Sequence, residues 1–254
     1  MGLLDGKVCV VTGAAGSLGL TSAEQFLREG ASVLLVDRDG EDLRQAAQRL
    51  AIYGDRVLAH QADVAERNDT AAYIDAAAAK WGGIDVLFCN AGISGAICPV
   101  TEYPEDVFDR VMAVNVRGVF LGCKYGLAKM RDGGSIVITS SVVGTTSDPG
   151  IAAYATSKHA VIGLMRTVAK EAAARRIRVN VVAPGPIDNG FQKNVEIGLS
   201  RAIGTDARKF LDGIIPLGRH GKAEEISRLV LFLASGQSSF STGGVFMADG
   251  GMHI

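Results

Sequence analysis

The 254-residue chain is poor in aromatics, at 6%, and has one tryptophan, six prolines and four cysteines. So few cysteines, with no C-x-x-C pair among Cys9, Cys89, Cys98 and Cys123, argue against a disulfide framework and a zinc knuckle. Cys9 and Cys89 fall inside apolar runs, where core thiols of a reducing compartment are expected. No apolar run is long enough to cross a bilayer. The opening residues, MGLLDGKV, lack the basic and apolar regions of a secretory signal, so a cytoplasmic location is expected. An excess of charge of one sign is missing too. Lys and Arg number 26 against 27 Asp and Glu, which leaves no polybasic or acidic character to attract nucleic acid or an anionic membrane. The four histidines have no metal-ligand spacing, so no metal is expected.

Hydrophobic residues, at 48%, and 32 glycines are what the chain does have. Apolar runs without alternation recur near 7–11, 32–37, 57–61, 84–89, 135–140, 178–183 and 244–248. Helical patterns lie between them, near 18–29, 40–53, 68–81, 104–130, 154–175 and 223–234. Strands of that kind, each followed by a helix, imply a parallel sheet covered on both faces. No linker, repeat or low-complexity block interrupts the pattern, so residues 1–254 read as one α/β domain. Residues 186–217 have no single strong period and read as a lid over a site.

The first strand runs into Thr12-Gly13-Ala14-Ala15-Gly16-Ser17-Leu18-Gly19. A glycine turn there would aim the unpaired N–H groups and the positive end of the next helix at a pyrophosphate. Asp37 ends the second strand, 18 residues beyond Gly19, where a carboxylate can accept from adenosine ribose hydroxyls and repel a 2′-phosphate. NAD is therefore favoured over NADP, although Arg38 beside it could pair with that phosphate.

A second constellation begins at Tyr154 and Lys158, four residues apart and so on one helix face. Ser140-Ser141 closes the fifth strand 13 residues earlier, Asn90-Ala91-Gly92 ends the fourth, and Asn115 lies inside the long helical pattern between them. With these residues the chain resembles the short-chain dehydrogenase/reductase family from about Lys7 to Gly251. TGAAGSLG is similar to the family's TG-x-x-x-G-x-G loop, CNAG at 89–92 to its NNAG, and Tyr154/Lys158 to its YxxxK. Pro184-Gly185 and Asp249-Gly250-Gly251 fit as well. Ser17 departs from the pattern where glycine is usual, Cys89 where asparagine is, and Asn189 where threonine often holds the nicotinamide carboxamide.

The resemblance implies a Rossmann-type, doubly wound, mainly parallel seven-stranded sheet. It implies a catalytic set of Asn115, Ser141, Tyr154 and Lys158. Gly13, Gly16, Ser17, Leu18 and Gly19 would take the pyrophosphate, Asp37 and Arg38 the adenosine ribose, and Asp63 and Val64 the adenine. Asn90, Ala91, Gly92, Pro184, Gly185, Ile187 and Asn189, with Tyr154 and Lys158, would line the nicotinamide half. Tyrosine's ordinary pKa of about 10 is too high for a base, and Lys158 would lower it by favouring the phenolate. Ser141 would hydrogen-bond the substrate oxygen, and Asn115 would hold a water linking Lys158 to solvent.

Ser141, Val143, Tyr154 and Phe191 are the candidate substrate contacts, in an otherwise apolar set that suggests a hydrophobic secondary alcohol or its ketone, cyclic or steroid-like in shape. Lys193, Arg201, Arg208 and Lys209 keep a rival open, a 3-ketoacyl-(acyl carrier protein) reductase using NADPH. A non-catalytic nucleotide sensor is the third reading, and the complete set of four catalytic residues counts against it. The helix after Tyr154 is apolar nearly all round, which with the family's habit suggests a homotetramer.

Overall fold

In the computed structural model, which describes residues 2–253, seven strands form one all-parallel sheet in the order β3-β2-β1-β4-β5-β6-β7. They are β1 (Val8–Thr12), β2 (Ser32–Asp37), β3 (Val57–Gln61), β4 (Ile84–Cys89), β5 (Met130–Thr139), β6 (Arg178–Pro184) and β7 (Val245–Ala248). Strands β1 and β4 lie at the centre and are buried along their whole length, as their unbroken Val, Ile, Leu and Phe content requires. The edge strands β3 and β7 are less buried.

Helices α1 (Ser17–Arg28), α2 (Gly40–Arg49) and α9 (Ala223–Ala234) cover one face, with Phe26, Leu43 and Val230 against β1, β2 and β4. On the other face α3 (Arg67–Trp81), α5 (Gly118–Lys129) and α6 (Ala152–Ala172) bring Tyr73, Cys123 and Met165 into a second core. The strand order reverses between β1 and β4, and the crevice at such a switch point is where open α/β sheets take ligands.

Four details differ from the sequence expectation. The long helical pattern near 104–130 is α4 (Glu105–Met112), a π turn (Ala113–Arg117) and α5, with Asn115 inside the π turn. The helix expected to 53 stops at Arg49 with Leu50 as its C-cap, and a 3-10 segment, Ala51–Arg56, kinked at Gly54 with φ +57°, follows it. Strand β5 starts at Met130, but its pairing with β4 jumps from Ile84↔Met130 to Val86↔Ser135, and residues 131–134 bulge out. Residues 186–217 hold two helices, α7 (Gly190–Ile203) and α8 (Ala207–Ile214). Helix α7 has no fully buried residue, so its apolar positions are not confined to one inward stripe, and a period search finds none. Among the described residues no helix is long and apolar enough to cross a membrane, and no cluster could hold a metal ion. Cys9, Cys89 and Cys123 are buried free thiols, and Cys98 is half-buried.

Candidate active site

The switch-point crevice is stitched by Thr12, the last residue of β1. Its Oγ1 accepts from the amides of Asn90 and Ala91 at 3.0 and 3.1 Å, while Asn90 Nδ2 donates to the Thr12 carbonyl at 3.1 Å. Gly13 follows with φ +65°, and a Cβ there would lie 2.9 Å from Ala91 Cα, so backbone meets backbone with no room for a side chain. A Cβ on Gly19 would run into the carbonyl of Gly13. Gly16 is different. It is the exposed N-cap of α1 at φ −70°, with only Gly13 O at 3.3 Å from its added Cβ. Ser17 is exposed and starts the helix without distorting it, while Leu18 and Gly19 are buried.

No side chain caps α1. The amides of its first turn therefore face the crevice without intrahelical acceptors, which suits a pyrophosphate. Asp37, half-buried at the end of β2, accepts from the amide of Ala15 at 2.9 Å and from that of Arg38 at 2.7 Å. The turn and the carboxylate are thus held in one rigid piece, and Arg38 is exposed beside it. That donor and acceptor set fits a dinucleotide.

Asp63 is placed less simply. One oxygen accepts from Ala65 N at 2.9 Å and the other pairs with Arg110 at 2.6 Å. Burial works to raise its pKa, but Arg110 and the Ala65 amide prevail and hold the carboxyl below its ordinary value. It does not cap α3, whose N-cap is Glu66. Val64 is buried, in a small apolar cluster with Ala65 and Val114.

Lys158, Asn115, Ser141 and Tyr154 meet past the end of β5. Lys158 is buried, and its Nζ donates to the Thr139 carbonyl at 2.9 Å. A Cβ on Gly92 would lie 3.3 Å from Asn115 Oδ1 and 3.5 Å from Lys158 Nζ, so the Asn90–Gly92 turn borders both. Both N–H donors of the Asn115 amide are engaged, and its oxygen accepts one bond. Its Oδ1 accepts from Ile93 N, and its Nδ2 donates to Ile93 O and to Ser157 Oγ, all at 2.9–3.0 Å. Ser140 is committed elsewhere, donating to the Lys158 carbonyl at 2.8 Å, whereas with the backbone Ser141 Oγ makes only long contacts, donating to the Pro184 carbonyl and accepting from Val143 N, both at 3.4 Å.

Burial pushes the Tyr154 phenol up to about 12, with the Ser141 hydroxyl pulling the other way, and burial pushes Lys158 down to about 8. Burial disfavours the charged form of both groups. Lys158 Nζ lies over the phenol ring, 5.4 Å from its centroid, and not at the hydroxyl.

Across the crevice Gly185 packs on Asp249, Ile187 is buried and bridges to Gly221, and Asn189 caps α7 by accepting from Gln192 N at 2.8 Å. Phe191, exposed on its outer side, puts its ring 6.2 Å from that of Tyr154, and Val143 is buried beside Ser141. Thr12, Thr139 and Ser157 escaped the sequence reading. Thr139 acts through a backbone carbonyl, which no side chain advertises. Thr12 alone had a signal, as the strand-end residue next to the glycine turn.

An all-parallel sheet with this switch-point crevice and this Tyr–Lys–Ser cluster defines a Rossmann-type oxidoreductase. Residues 13–253 match the family described as Enoyl-(Acyl carrier protein) reductase. The chain is 40% identical to the 3-oxoacyl-[acyl-carrier-protein] reductase FabG of Thermotoga maritima over 99% of each chain. It is 35% identical to 3beta-hydroxysteroid dehydrogenase 2 of Eggerthella lenta, covering 98% of this chain and 95% of that one. Among solved structures, an NAD+-bound xylitol dehydrogenase superposes with a TM-score of 0.92 at 36% identity, covering 98% of this chain and 99% of that one. The chain belongs to the short-chain dehydrogenase/reductase family, whose members bind a nicotinamide cofactor.

Proposed function

We propose that this protein is an NAD-dependent dehydrogenase or ketone reductase for a hydrophobic secondary alcohol, cyclic or steroid-like in shape. One juxtaposition supports this most directly. The Tyr154 phenol, beside Lys158 and Ser141, stands against the ring of Phe191, an apolar neighbour that suits a hydrophobic substrate. The 3beta-hydroxysteroid dehydrogenase likeness points the same way.

Bound along the crevice, the dinucleotide would supply or accept a hydride at its nicotinamide. Gly13 and Gly19 give it backbone access, Asp37 takes the ribose hydroxyls, and Asn90–Gly92 with Pro184–Asn189 border the nicotinamide half. Asp37 supports NAD, since its carboxylate is fixed by the Ala15 amide and cannot swing away from a 2′-phosphate without breaking that bond. In reduction the Tyr154 hydroxyl donates its proton to the carbonyl oxygen. A phenol pushed up to about 12 enters that step protonated. Ser141 Oγ, weakly held in the protein, orients the same oxygen. Lys158 in its charged form supports the phenolate that remains, and Asn115 ties the Ile93 backbone to the Ser157 hydroxyl beside it. Residues 186–217 act as the lid of a single 1–254 domain, and the buried free thiols suit a cytoplasmic enzyme. The exposed Phe120 on α5, beside the extended α6, supports a homotetramer, which light scattering tests.

Purified protein given NAD or NADP and a panel of linear, cyclic and steroid alcohols decides the function. Turnover with NAD on bulky apolar members is the expected result. Reduction of a ketoacyl thioester by NADPH, with no alcohol oxidised, would instead establish a 3-ketoacyl-(acyl carrier protein) reductase. The FabG likeness favours that second reading, as do the exposed Lys193, Arg201 and Lys209, but Arg208 is already paired with Asp188 at 2.9 Å. Silence under every condition would leave a nucleotide-binding sensor.

A further inference from the structure

His220 belongs to no part of the chemistry above, yet it is among the most buried polar side chains, 1% exposed. It stands between α8 and α9. Its Nδ1 is 2.6 Å from Asp212 Oδ1 on α8, and its Nε2 is 2.9 Å from Glu196 Oε1 on α7. The first contact is a hydrogen bond. In the second, the two atoms are close enough to pair as ions, but they lie off the line of the ring N–H and have no hydrogen-bond partner.

The next residue, Gly221, continues the connection through its backbone. Its N–H donates to the Pro186 carbonyl at 2.9 Å, and its carbonyl accepts from Asp188 N at 2.8 Å. Residues 220–221 therefore hold both lid helices with a side chain and the 186–188 segment with the main chain. Helix α7 needs such a hold, because it has no fully buried residue.

The protonation state of the ring decides whether the hold works. With a proton on each nitrogen, the imidazolium donates to Asp212 and its charge attracts both carboxylates. With one proton, kept on Nδ1 for Asp212, that charge is gone, and Nε2 and Glu196 Oε1 are two buried acceptors 2.9 Å apart, which repel. Of the other charged groups nearby, Arg208 of α8 is paired with Asp188 and also attracts Glu196 and Asp212 from a distance, Lys193 of α7 is exposed, and Arg219 is paired with Glu225 of α9 at 2.7 Å; none of them hydrogen-bonds either carboxylate.

We propose that His220 is a positioning residue whose imidazolium clamps α7 and α8 to the 186–188 segment, so that seating Phe191 beside Tyr154 depends on a proton. The clamp is fastened when both ring nitrogens carry a proton and released when one of them is lost. The consequence for substrate rests on the function proposed above, while the consequence for α7 and α8 does not.

Hydrogen exchange of the full chain, corrected for intrinsic rates, tests both. At about pH 6 peptides from 190–214 should be protected, and at about pH 9 they should exchange at least ~10-fold faster, while peptides from 152–172 hold steady. Glu196→Gln gives the neutral ring a donor, since the new amide N–H can meet Nε2. Its lid should stay protected at both pH values. His220→Phe should exchange fast at both, and if it is active its KM should rise with kcat little changed. Equal lid exchange at the two pH values in the unaltered chain would overturn the clamp, as would Glu196→Gln keeping the full pH dependence. Lid exchange that follows the pattern in a protein that turns over no alcohol or ketone would sustain the clamp and sink the substrate reading instead.

Discussion

Helices α6 and α7 border the same phenol and are built on opposite plans. Of the 21 residues of α6, ten are fully buried, including Ser157 and Lys158, and its polar atoms are tied down: Ser157 Oγ accepts from Asn115, and Lys158 bonds to Thr139. Helix α7 has 14 residues and buries none fully, leaving Phe191 40% and Ile197 54% exposed. A group that moves a proton must be held to a fraction of an ångström, which dense packing achieves. A surface that admits and releases a bulky apolar molecule must open, and few buried contacts keep the cost of opening low. The comparison assigns chemistry to one helix and selection to the other, and substitutions on each side should fail in different ways.

The strongest break on the rigid side is Tyr154→Phe. Removing the proton donor should cut kcat by about 10³-fold while the melting temperature and nucleotide binding stay put. Retention of a tenth of the activity would show that the proton comes from another group. Gly19→Ala should act on the cofactor turn instead. Its Cβ would meet the Gly13 carbonyl, a backbone atom with no freedom to retreat, so a loss of about 3 kcal/mol in stability and of nucleotide affinity is expected. Gly16→Ala is the paired control. With its nearest contact at 3.3 Å and φ −70°, it should cost less than about 1 kcal/mol, and thermal melts with nucleotide titration separate the two.

How much of this the sequence carried follows the same division. All seven strands were legible because buried parallel strands are unbroken apolar runs, and the Tyr154/Lys158 spacing survives any rotation of the helix that holds it. The Gly13 and Gly19 turn could be read because only glycine fits where backbone meets backbone. Gly16 looked the same in the sequence and has none of that constraint. The π turn at Asn115 was invisible, since one extra residue per turn leaves the apolar pattern almost intact. So was the shared desolvation that pushes Tyr154 up and Lys158 down, because charge proximity can be guessed from spacing and loss of water cannot. Helix α7 was missed because a helix without an inward stripe has no period to find, and α8, which buries Ala207 and Leu211, because eight residues show that period only once. His220 could be named but not placed: its partners Glu196 and Asp212 sit 24 and 8 residues away with no motif joining them.

Asp37→Ala probes the seam between the cofactor turn and the second strand. The substitution removes the acceptor of the Ala15 amide and the charge that opposes a 2′-phosphate, so the ratio of NAD to NADP efficiency should fall by about 10- to 100-fold. An unchanged ratio would mean that Arg38 already decides the preference.

Lys158→Met should end activity and yet strengthen the fold. The lysine's pKa is about 8 in the folded chain against an ordinary 10.5, so folding disfavours its charged form. That penalty is fully present below pH 8 and is relieved as pH rises from about 8 to 10.5, where the unfolded chain binds the extra proton. Methionine removes it at the cost of one hydrogen bond to Thr139, for a gain of about 2 kcal/mol at neutral pH that shrinks in alkali. Melts at neutral pH and near pH 10 check the sign, and destabilisation at neutral pH would mean that the buried ammonium is better solvated than its surroundings indicate.

Phe191→Ala is the mildest change and the one that tests the mobile side of the comparison. The ring is 40% exposed and lies 6.2 Å from Tyr154, so its loss should leave stability within about 0.5 kcal/mol. If α7 only selects, the variant loses binding that ground state and transition state share: KM for bulky apolar alcohols rises several-fold, to about 10-fold, and kcat is held. Small alcohols, which cannot reach the ring, should show no change. A fall in kcat equal to the fall in kcat/KM, for large and small alcohols alike, would mean that Phe191 orients Tyr154 itself. In that case the division between a fixed α6 and a selecting α7 would be wrong at the one point where the two helices meet.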